Sequence, residues 1–478
     1  EKGEGKLKKI GITLIVLVFI VSISAYSKAI NRGESGYSTL VVQEHKAPAE
    51  QGENIVHIVT RLILQLVLVL AAAKVGGEIC ERYLKQPGVL GELIAGMIIG
   101  PYVLGSRIPI PGLGTLFTAP QPGVSIPVSN ELYALGQIAV IILLFMAGLE
   151  TDFKQFFKYA GPATVIAIGG VVVPFVLGVL ATVIFVPEVT HFAQPEALFI
   201  GATMVATSVG ITARILSDIK KLDTPEGVTI LAGAVVDDVL GILVLAIVVG
   251  ISRGEGGVSG KEIAFITFKA VGVWIAIMGL GLLFSKQIEK LINWFKSDGA
   301  SLALGLAFCF LASGIAELCG LAAIIGSYAM GLALSDRKIS NKLVKSLEPV
   351  FYFLVPVFFV VMGMLVDFGS MSQDILFGVV LSILAVISKV FGCGLPSLGV
   401  GFNRRGAIRI GIGMLPRGEV ALIVAGVGLA NGVIPTDMFG VAVMMTMVTT
   451  LLAPIFLVPL FEKGGSGLKN KNKKEIKA

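Results

Sequence analysis

The sequence predicts an all-α protein that crosses a membrane many times, and three observations lead to this fold class. Of the 478 residues, 55% are hydrophobic and only 15% are charged, whereas a soluble domain keeps about a quarter of its residues charged. Apolar stretches long enough to cross a bilayer as helices recur along the chain. Short loops that contain charge, Pro or Gly separate them. Together these features indicate a polytopic membrane protein.

The apolar windows predict fourteen membrane-spanning helices. They are 10–27, 56–80, 87–104, 131–149, 160–187, 196–217, 226–251, 262–285, 300–318, 320–335, 349–366, 374–399, 407–430 and 436–461. We expect residues 1–27 to form an extra N-terminal helix, with a signal peptide as the alternative. An external linker over 28–55, a transmembrane domain over 56–461 and a basic cytoplasmic tail over 462–478 complete the predicted organisation.

The distribution of charge predicts the orientation of the chain and excludes some partners. Most of the 38 Lys and Arg residues fall on the side of the membrane that holds both termini, and positive loops mark the cytoplasmic face. The basic residues are scattered through short loops, so the net charge of +6 predicts no nucleic-acid partner. Neither the four cysteines nor the three histidines have the spacing of a metal or disulfide site. We also expect no nucleotide-binding domain.

Three charged residues lie deep inside predicted spans. The stretch "LAGAVVDDVLGILVLAIVVG" carries Asp237 and Asp238 side by side, and Lys389 lies far from both ends of its span. Each ionised Asp near the bilayer centre costs about 2.5–3.5 kcal/mol on insertion scales. A buried ammonium needs a carboxylate partner, so we expect one aspartate to pair with Lys389. Such a cluster titrates as a unit and can exchange protons against a hard cation that prefers oxygen ligands.

The adjacency of the two aspartates bears on the alternatives. Neighbouring residues point about 100° apart around a helix, so one can pair with Lys389 while the other faces a water-filled cavity. An intramembrane aspartyl protease needs two carboxylates that converge from different helices, which disfavours that function. An ion channel needs a filter loop, and none is apparent. A purely stabilising buried ion pair remains open.

Two further stretches contain residues that interrupt helices inside apolar windows. "ATSVGITARIL" (206–216) holds Thr207, Ser208 and Gly210, and "GMLPRGEVALIVAG" (413–426) holds Arg417 and Glu419 beside a proline. Proline removes a backbone donor, and unwound backbone at membrane depth is tolerated where it lines a cavity or is buried in protein. A pair of interrupted helices in two halves of a chain points to a transporter's ion site. Arg417 and Glu419 are expected to offset the partial charges of the broken ends.

The remaining charges in the spans have simpler interpretations. Most of the other basic ones lie near span ends, where we expect them to snorkel to the interface: Arg61, Lys74, Arg214, Lys269 and Arg409. Glu92 and Glu317 are expected to form a cap or a local hydrogen bond.

With these residues in view, the sequence resembles the monovalent cation:proton antiporter superfamily, and most closely its NapA-type sodium/proton antiporters. The matching stretches are "QPGVLGELIAGMIIGP", "ATSVGITARIL", "AGAVVDDVLG", "ISKVFGCGLP" and "LPRGEVALI", in family order. The resemblance implies an NhaA-type antiporter fold with inverted repeats, two broken crossing helices and 13 core transmembrane helices. It also implies a homodimer in an inner (plasma) membrane, a dimerisation part, a moving core part and a role in pH homeostasis.

The resemblance further implies the roles of the site residues. Asp238 would be the main carboxylate for Na+ or Li+ and for H+, with Thr207 a candidate second ligand, while Asp237 would pair with Lys389. Ser208, Gly210, Arg417 and Glu419 would lie at the crossing of the broken helices. Potassium-efflux relatives carry Gln-Asp and electroneutral relatives Asn-Asp at the paired-aspartate position, so Asp-Asp with a lysine resembles the electrogenic type. No cofactor is implied, and a K+/H+ antiporter of the same fold is the alternative.

Overall fold

The protein, seen in a computed structural model, consists of helices joined by short loops. The structure describes residues 55–110, 114–117, 127–252, 260–319, 321–371, 374–430 and 432–469, with side chains except at 246, 250, 260–271, 370, 419 and 430. The predicted helix at 10–27, almost all of the predicted linker and the end of the basic tail lie outside the described residues. The chain divides into two compact units, 1–61 with 109–114 and 62–108 with 115–478. The contacts described below lie within the second.

The helices in the described ranges are short to very long. They are α1 (Ile55–Ile79), α2 (Gly88–Ile99), α3 (Asn130–Glu150), α4 (Phe153–Phe185), α5 (Pro195–Val205), α6 (Val209–Asp218), α7 (Pro225–Ser252), α8 (Gly260–Trp294), α9 (Ala300–Leu318), α10 (Ala323–Ser335), α11 (Ile339–Met364), α12 (Phe368–Met371), α13 (Ile375–Gly399), α14 (Arg404–Gly413), α15 (Glu419–Ala430) and α16 (Thr436–Glu462). A π-helical turn (Cys80–Leu84), a 3-10 turn (Gly105–Arg107) and two short strands, β1 (Pro109–Ile110) and β2 (Gly114–Thr115), complete the list.

From residue 56 onwards, every predicted window coincides with a helix or a pair of helices. α4 and α11 begin earlier than predicted, because helical hydrogen bonding continues through polar residues that an apolar window leaves out. Asp152 marks the true start of α4, since its carboxylate accepts a hydrogen bond from the Gln155 amide at 2.8 Å. Among the described residues, nine helical segments are long and apolar enough to span a bilayer. The total of 13 crossings plus one stays a prediction.

Two predicted windows are interrupted. α5 ends at Val205 and α6 begins at Val209, while α14 ends at Gly413 and α15 begins at Glu419. Ser208 caps the start of α6, because its hydroxyl accepts from the Ile211 amide at 3.4 Å. In the second interruption the proline of "LPRG" has no N–H to continue a helical ladder. The stretches singled out in the sequence therefore contain both breaks.

The helices of the larger unit form two groups by their packing. The first group comprises α2, α3, α8, α9, α10 and α11. The second comprises α4, α5, α6, α7, α13, α14, α15 and α16. Within each group most neighbours pack along much of their lengths, and fewer contacts join the two groups; these include the contacts of α6 with α3 and of α7 with α8.

Small residues allow helices of the first group to approach backbone to backbone. A Cβ atom on Gly363 of α11 would lie 2.1 Å from the Leu93 carbonyl oxygen of α2, and one on Gly96 of α2 would lie 2.0 Å from the Val360 carbonyl oxygen. Backbone atoms cannot move aside as a flexible side chain can. The pairing of α2 with α11 therefore requires glycine at both positions.

We predict that Gly363→Ala lowers the melting temperature of the purified protein, because the added methyl group forces α2 and α11 apart at a cost of about 1–3 kcal/mol. Gly314→Ala is the matched control. It is also a helical glycine, on α9, but its Cβ would meet nothing within 4 Å, so alanine there is expected to be neutral or stabilising by up to about 1 kcal/mol. Equal melting temperatures for the two variants would contradict the close approach.

Candidate ion-binding site

The two interruptions cross each other inside the second helix group. The Ser208 amide donates to the Pro416 carbonyl oxygen at 2.8 Å. A Cβ atom on Gly418 would lie 2.9 Å from the Ser208 hydroxyl oxygen. Ser208 and Pro416 are both buried, so this crossing is formed by backbone at the centre of the protein. Glycine at 418 permits the approach because a side chain there would meet Ser208.

Each interruption supplies hydrogen-bond partners for the free backbone groups of the other. At the end of α14, the Thr212 hydroxyl donates to the Gly413 carbonyl at 2.8 Å and the Thr207 hydroxyl donates to the Met414 carbonyl at 3.2 Å. The last carbonyls of a helix have no partner within it, and without water these groups would be costly to bury. The threonines in "ATSVGITARIL" thus complete the end of a helix about 200 residues further along the chain.

Arg417, in the second interruption, supplies hydrogen bonds to the free helix end of the first. Its guanidinium donates to the Met204 carbonyl oxygen near the end of α5, from Nη2 at 2.6 Å and from Nε at 3.2 Å. The side chain is fully buried, and a positive charge at a helix C-terminus offsets the partial negative charge there. The prediction that Arg417 compensates a broken helix end agrees with this contact. The Met204 carbonyl thus holds the guanidinium inside the protein.

Lys389 and Asp237 form a buried ion pair beside the crossing. Lys389 Nζ lies 3.2 Å from both carboxylate oxygens of Asp237, and neither side chain is exposed. The residues come from the middle of α13 and α7, which both pack against α4. A Cβ atom on Gly411 of α14 would lie 2.8 Å from the carbonyl oxygen of Val390, the residue after Lys389. The ion pair therefore adjoins α14, the helix that ends at the second interruption.

Asp238 follows directly on α7 and is also buried, at 6% exposure. Adjacent helical residues point about 100° apart, so the Asp238 side chain leaves α7 in a different direction from the Asp237 side chain. Asp237 is engaged by a cation of the protein, as the sequence predicts. The role of Asp238 stays a prediction.

Two residues of the site were missed by sequence reasoning. Gly170 of α4 makes room for the ion pair, because a Cβ there would lie 3.6 Å from Lys389 Nζ and 2.4 Å from Cys393 Sγ. Cys393 stands four residues after Lys389 and so on the same face of α13, a spacing that could have indicated it. Gly170 lies in an apolar run, and nothing in the sequence marks it. Of the predicted residues, Gly210 packs towards Val140 of α3, and the Glu419 side chain lies outside the described part of the chain.

A second cluster of charges is buried towards the end of α6. Arg214 Nε lies 3.0 Å from Asp218 Oδ1, and Arg214 Nη2 lies 3.8 Å from Glu92 Oε1 of α2. The guanidinium also stacks 5.2 Å from the centre of the Phe351 ring. Snorkelling was predicted for Arg214 and is wrong, since carboxylates inside the protein compensate its charge. Glu92 faces this arginine from the other helix group.

Arg409 likewise does not snorkel. It donates to Glu226 Oε1 at 2.7 Å and to the carbonyl oxygens of Gly464 at 2.7 Å and Gly465 at 2.8 Å. These bonds fasten the segment after α16 to the start of α7. Lys74 is exposed, as predicted, and Glu317 forms the predicted local hydrogen bond, accepting from the Ala323 amide at 3.0 Å.

Comparison with known proteins identifies the family. A family model described as "Sodium/hydrogen exchanger, transmembrane" matches residues 66–463. The chain belongs to this sodium/hydrogen exchanger family. The matched residues contain both interrupted helices and the Asp237–Lys389 pair, and they identify the chain as a multi-pass membrane protein.

Related proteins extend over nearly the same part of the chain. It is 34% identical over 406 residues to the Na(+)/H(+)-K(+) antiporter GerN of Bacillus cereus, covering 85% of this chain and 97% of that protein. It is 33% identical over 427 residues to the high-affinity Na(+)/H(+) antiporter NhaS3 of Synechocystis, with 85% and 91% covered. A solved structure of the sodium proton antiporter MjNhaP1 from Methanocaldococcus jannaschii superimposes with a TM-score of 0.64 at 21% identity, covering 85% and 98%. The similarity to MjNhaP1 shows that the two proteins share a fold.

We predict that Lys389→Met destabilises the protein by about 3–5 kcal/mol, because it leaves the Asp237 carboxylate buried without its cation. Asp237→Asn should remove most of this penalty in the double variant, since a neutral amide costs far less to bury. Unfolding free energies of the two single variants and the double variant, measured in the same detergent, form the double-mutant cycle. Additive effects would mean that the two side chains are not coupled.

Proposed function

We propose that this protein is a secondary-active, electrogenic antiporter that exchanges Na+ or Li+ for H+ by alternating access. The observation that supports this best is the pairing of Asp237 with Lys389 next to Asp238, at the crossing of two interrupted helices. The relatives GerN and NhaS3 are Na+/H+ antiporters by name, and exchange of a cation for protons by this chain is consistent with that. Asp238 binds the cation and the proton in turn, with Thr207 a candidate second ligand.

Competition for one set of oxygens couples the two ions. A cation that prefers oxygen ligands binds ionised Asp238, and a proton on the same carboxylate excludes it. As the cation arrives, Lys389 separates from Asp237. The ammonium, buried without a partner, is then unfavourable and gives up its proton. Two protons thus leave for one monovalent cation, so each cycle moves net charge.

The fold offers a way to carry the site across the membrane. The crossing, the ion pair and Asp238 all belong to the helix group formed by α4–α7 and α13–α16, which makes limited contacts with the other group. In our proposal the former is the ion-transporting core and the latter belongs to the dimerisation part of a homodimer in an inner (plasma) membrane. Both termini are cytoplasmic in this arrangement. The core rocks largely as a rigid body around the bound ion. The resulting exchange of cations for protons serves pH homeostasis.

A K+/H+ antiporter of the same fold is the second candidate. The name of GerN includes K+ beside Na+, and the same carboxylates suit either monovalent cation. An ion channel and an intramembrane aspartyl protease have less support. The adjacent carboxylates diverge around α7, and one of them is engaged by Lys389, whereas a protease needs two that converge on one peptide bond.

We predict that Asp238→Asn abolishes cation-driven collapse of a pH gradient in proteoliposomes, because an amide neither ionises nor exchanges a proton. Wild-type protein receives Na+, Li+ and K+ in turn. Asp298→Asn, an identical change at an exposed position, is the matched control and should transport normally. Normal transport by Asp238→Asn would contradict the proposal. Activity with K+ alone would support the same binding site but make the transported cation K+. Flux without an opposing proton gradient would indicate a channel.

We predict that the wild-type exchange rate depends on membrane potential, because two protons move against one cation. With the pH gradient held constant and the potential set by a K+ gradient and valinomycin, a potential negative on the side that receives the protons should raise the rate of Na+ transport. A rate that is unchanged between zero and negative potential would mean electroneutral exchange and would exclude release of a proton by Lys389. Asp298→Asn again serves as the control.

A further inference from the structure

A cavity of about 680 Å³ opens along the boundary between the two helix groups. One wall is formed by α1, α2 and α11, and the other by α6 and by Val458 of α16. Lys85 and Lys220 also line it, in loops that our orientation places on the cytoplasmic side. Exchange by alternating access requires such an opening to close before the opposite side opens. Side chains on the two facing walls are therefore positioned to act in that closure.

Arg214 and Glu92 face each other across this boundary, and their ion pair is only half formed. The Arg214 Nη2 atom lies 3.8 Å from Glu92 Oε1, beyond hydrogen-bonding distance. Within the described part of the chain, Arg214 Nη1 and Glu92 Oε2 are buried without a hydrogen-bond partner. The two residues are 6% and 3% exposed. Buried atoms left unsatisfied are costly, so this arrangement is less favourable than the bidentate pair that the same two groups can form.

The guanidinium is held in place by its own helix and already reaches the facing wall. Arg214 Nε lies 3.0 Å from Asp218 Oδ1, one turn further along α6, and the guanidinium stacks 5.2 Å from the centre of the Phe351 ring of α11. With Nε engaged by Asp218, the two η nitrogens remain for a second carboxylate. A displacement of about 1 Å between α6 and α2 would shorten the 3.8 Å contact to the length of a charge-assisted hydrogen bond.

The helix α6 connects this pair to the proposed ion site. It is ten residues long, which corresponds to about 15 Å. It begins at the first interruption, where the Ser208 hydroxyl accepts from the Ile211 amide. Its other end carries Arg214 and Asp218 to the cavity. A rigid displacement of the core therefore moves the crossing and the guanidinium together, so that closure of the cavity and movement of the site are parts of one displacement.

We infer that Arg214 and Glu92 form a cytoplasmic gate, which is open in the present conformation and closes to a bidentate ion pair when the site faces the other side. The inference rests on the proposed antiport function. Closure satisfies Arg214 Nη1 and Glu92 Oε2 together, so the pair stabilises the conformation in which the cavity is shut. Both are positioning residues, because they set the ratio of the two conformations without binding the transported ion.

Half-saturation concentrations for Na+, measured from each side with right-side-out and inverted vesicles that contain the full-length protein, test the gate. Glu92→Gln keeps the size of the side chain and removes charge-assisted hydrogen bonds worth roughly ten-fold in an equilibrium constant. The closed form becomes rarer. Because the apparent affinity on each side scales with the fraction of protein open to it, the ratio of the outer to the cytoplasmic half-saturation concentration should rise roughly ten-fold.

Two further variants separate the gate from other effects. Glu78→Gln is the matched control, because Glu78 lines the same cavity but is exposed and pairs with Arg82; its ratio should equal that of the wild type. Arg214→Lys keeps a positive charge beside Asp218 but cannot donate two parallel hydrogen bonds, so it should raise the ratio as Glu92→Gln does. A general loss of stability lowers the rates measured from both sides and leaves the ratio unchanged.

The outcomes distinguish the gate from the antiport function itself. Exchange by Glu92→Gln or Arg214→Lys with an unchanged ratio would overturn the gate and leave the proposed antiporter standing. A ratio that falls would mean that the pair stabilises the open conformation, and an equal rise in Glu78→Gln would attribute the effect to the charge of the cavity; either result overturns the gate. Absence of cation–proton exchange in the wild type would overturn the proposed function and the gate with it.

Discussion

The crossing of the two interrupted helices is the constraint on which the rest of the site depends. Interrupting a helix inside a membrane leaves carbonyl and amide groups that water cannot reach, and each would be costly if unsatisfied. The chain meets this cost reciprocally: Thr207 and Thr212 complete the end of α14, while Arg417 completes the end of α5. Each interruption therefore supplies partners for backbone groups that the other leaves free. Segments about 200 residues apart are thereby fixed against each other, and they hold the surroundings of Asp237.

The buried charges have a different explanation from the buried backbone. Replacing a buried ion pair by apolar residues is often neutral or stabilising, so stability gives no reason to keep Lys389 and Asp237. A purely structural pair would also not require a further carboxylate at Asp238, whose insertion cost is separate. The three residues together are better explained by an exchange reaction, in which ionised and neutralised forms alternate. This is why we place the function at this cluster rather than at the Arg214 or Arg409 clusters, where the carboxylates and arginines lie towards helix ends.

Much of the fold was predictable from the sequence because membrane helices are constrained by length and apolarity. Interruptions were predictable as well, since proline and clustered small polar residues break a helix for local reasons. Long-range contacts were less accessible. The sequence does not show that the Arg214 guanidinium is compensated by Asp218 and Glu92, so an end-of-span position suggested snorkelling, and the same limit applies to Arg409. Gly170 was missed for the same reason, because its importance comes from Lys389 and Cys393, which belong to another helix.

The packing of the two helix groups determines which motion costs least. Hydrogen bonds and close contacts of the site run among α5, α6, α7, α13, α14 and α15, so moving one of these helices alone would break bonds in a buried, apolar setting. Along the boundary between the groups, the ion pair of Glu92 with Arg214 is already 3.8 Å long, beyond hydrogen-bonding distance. Contacts across this boundary are limited, and sliding along it preserves the reciprocal bonds of the crossing. If the site moves, displacing the whole group together therefore requires less free energy than rearranging its helices.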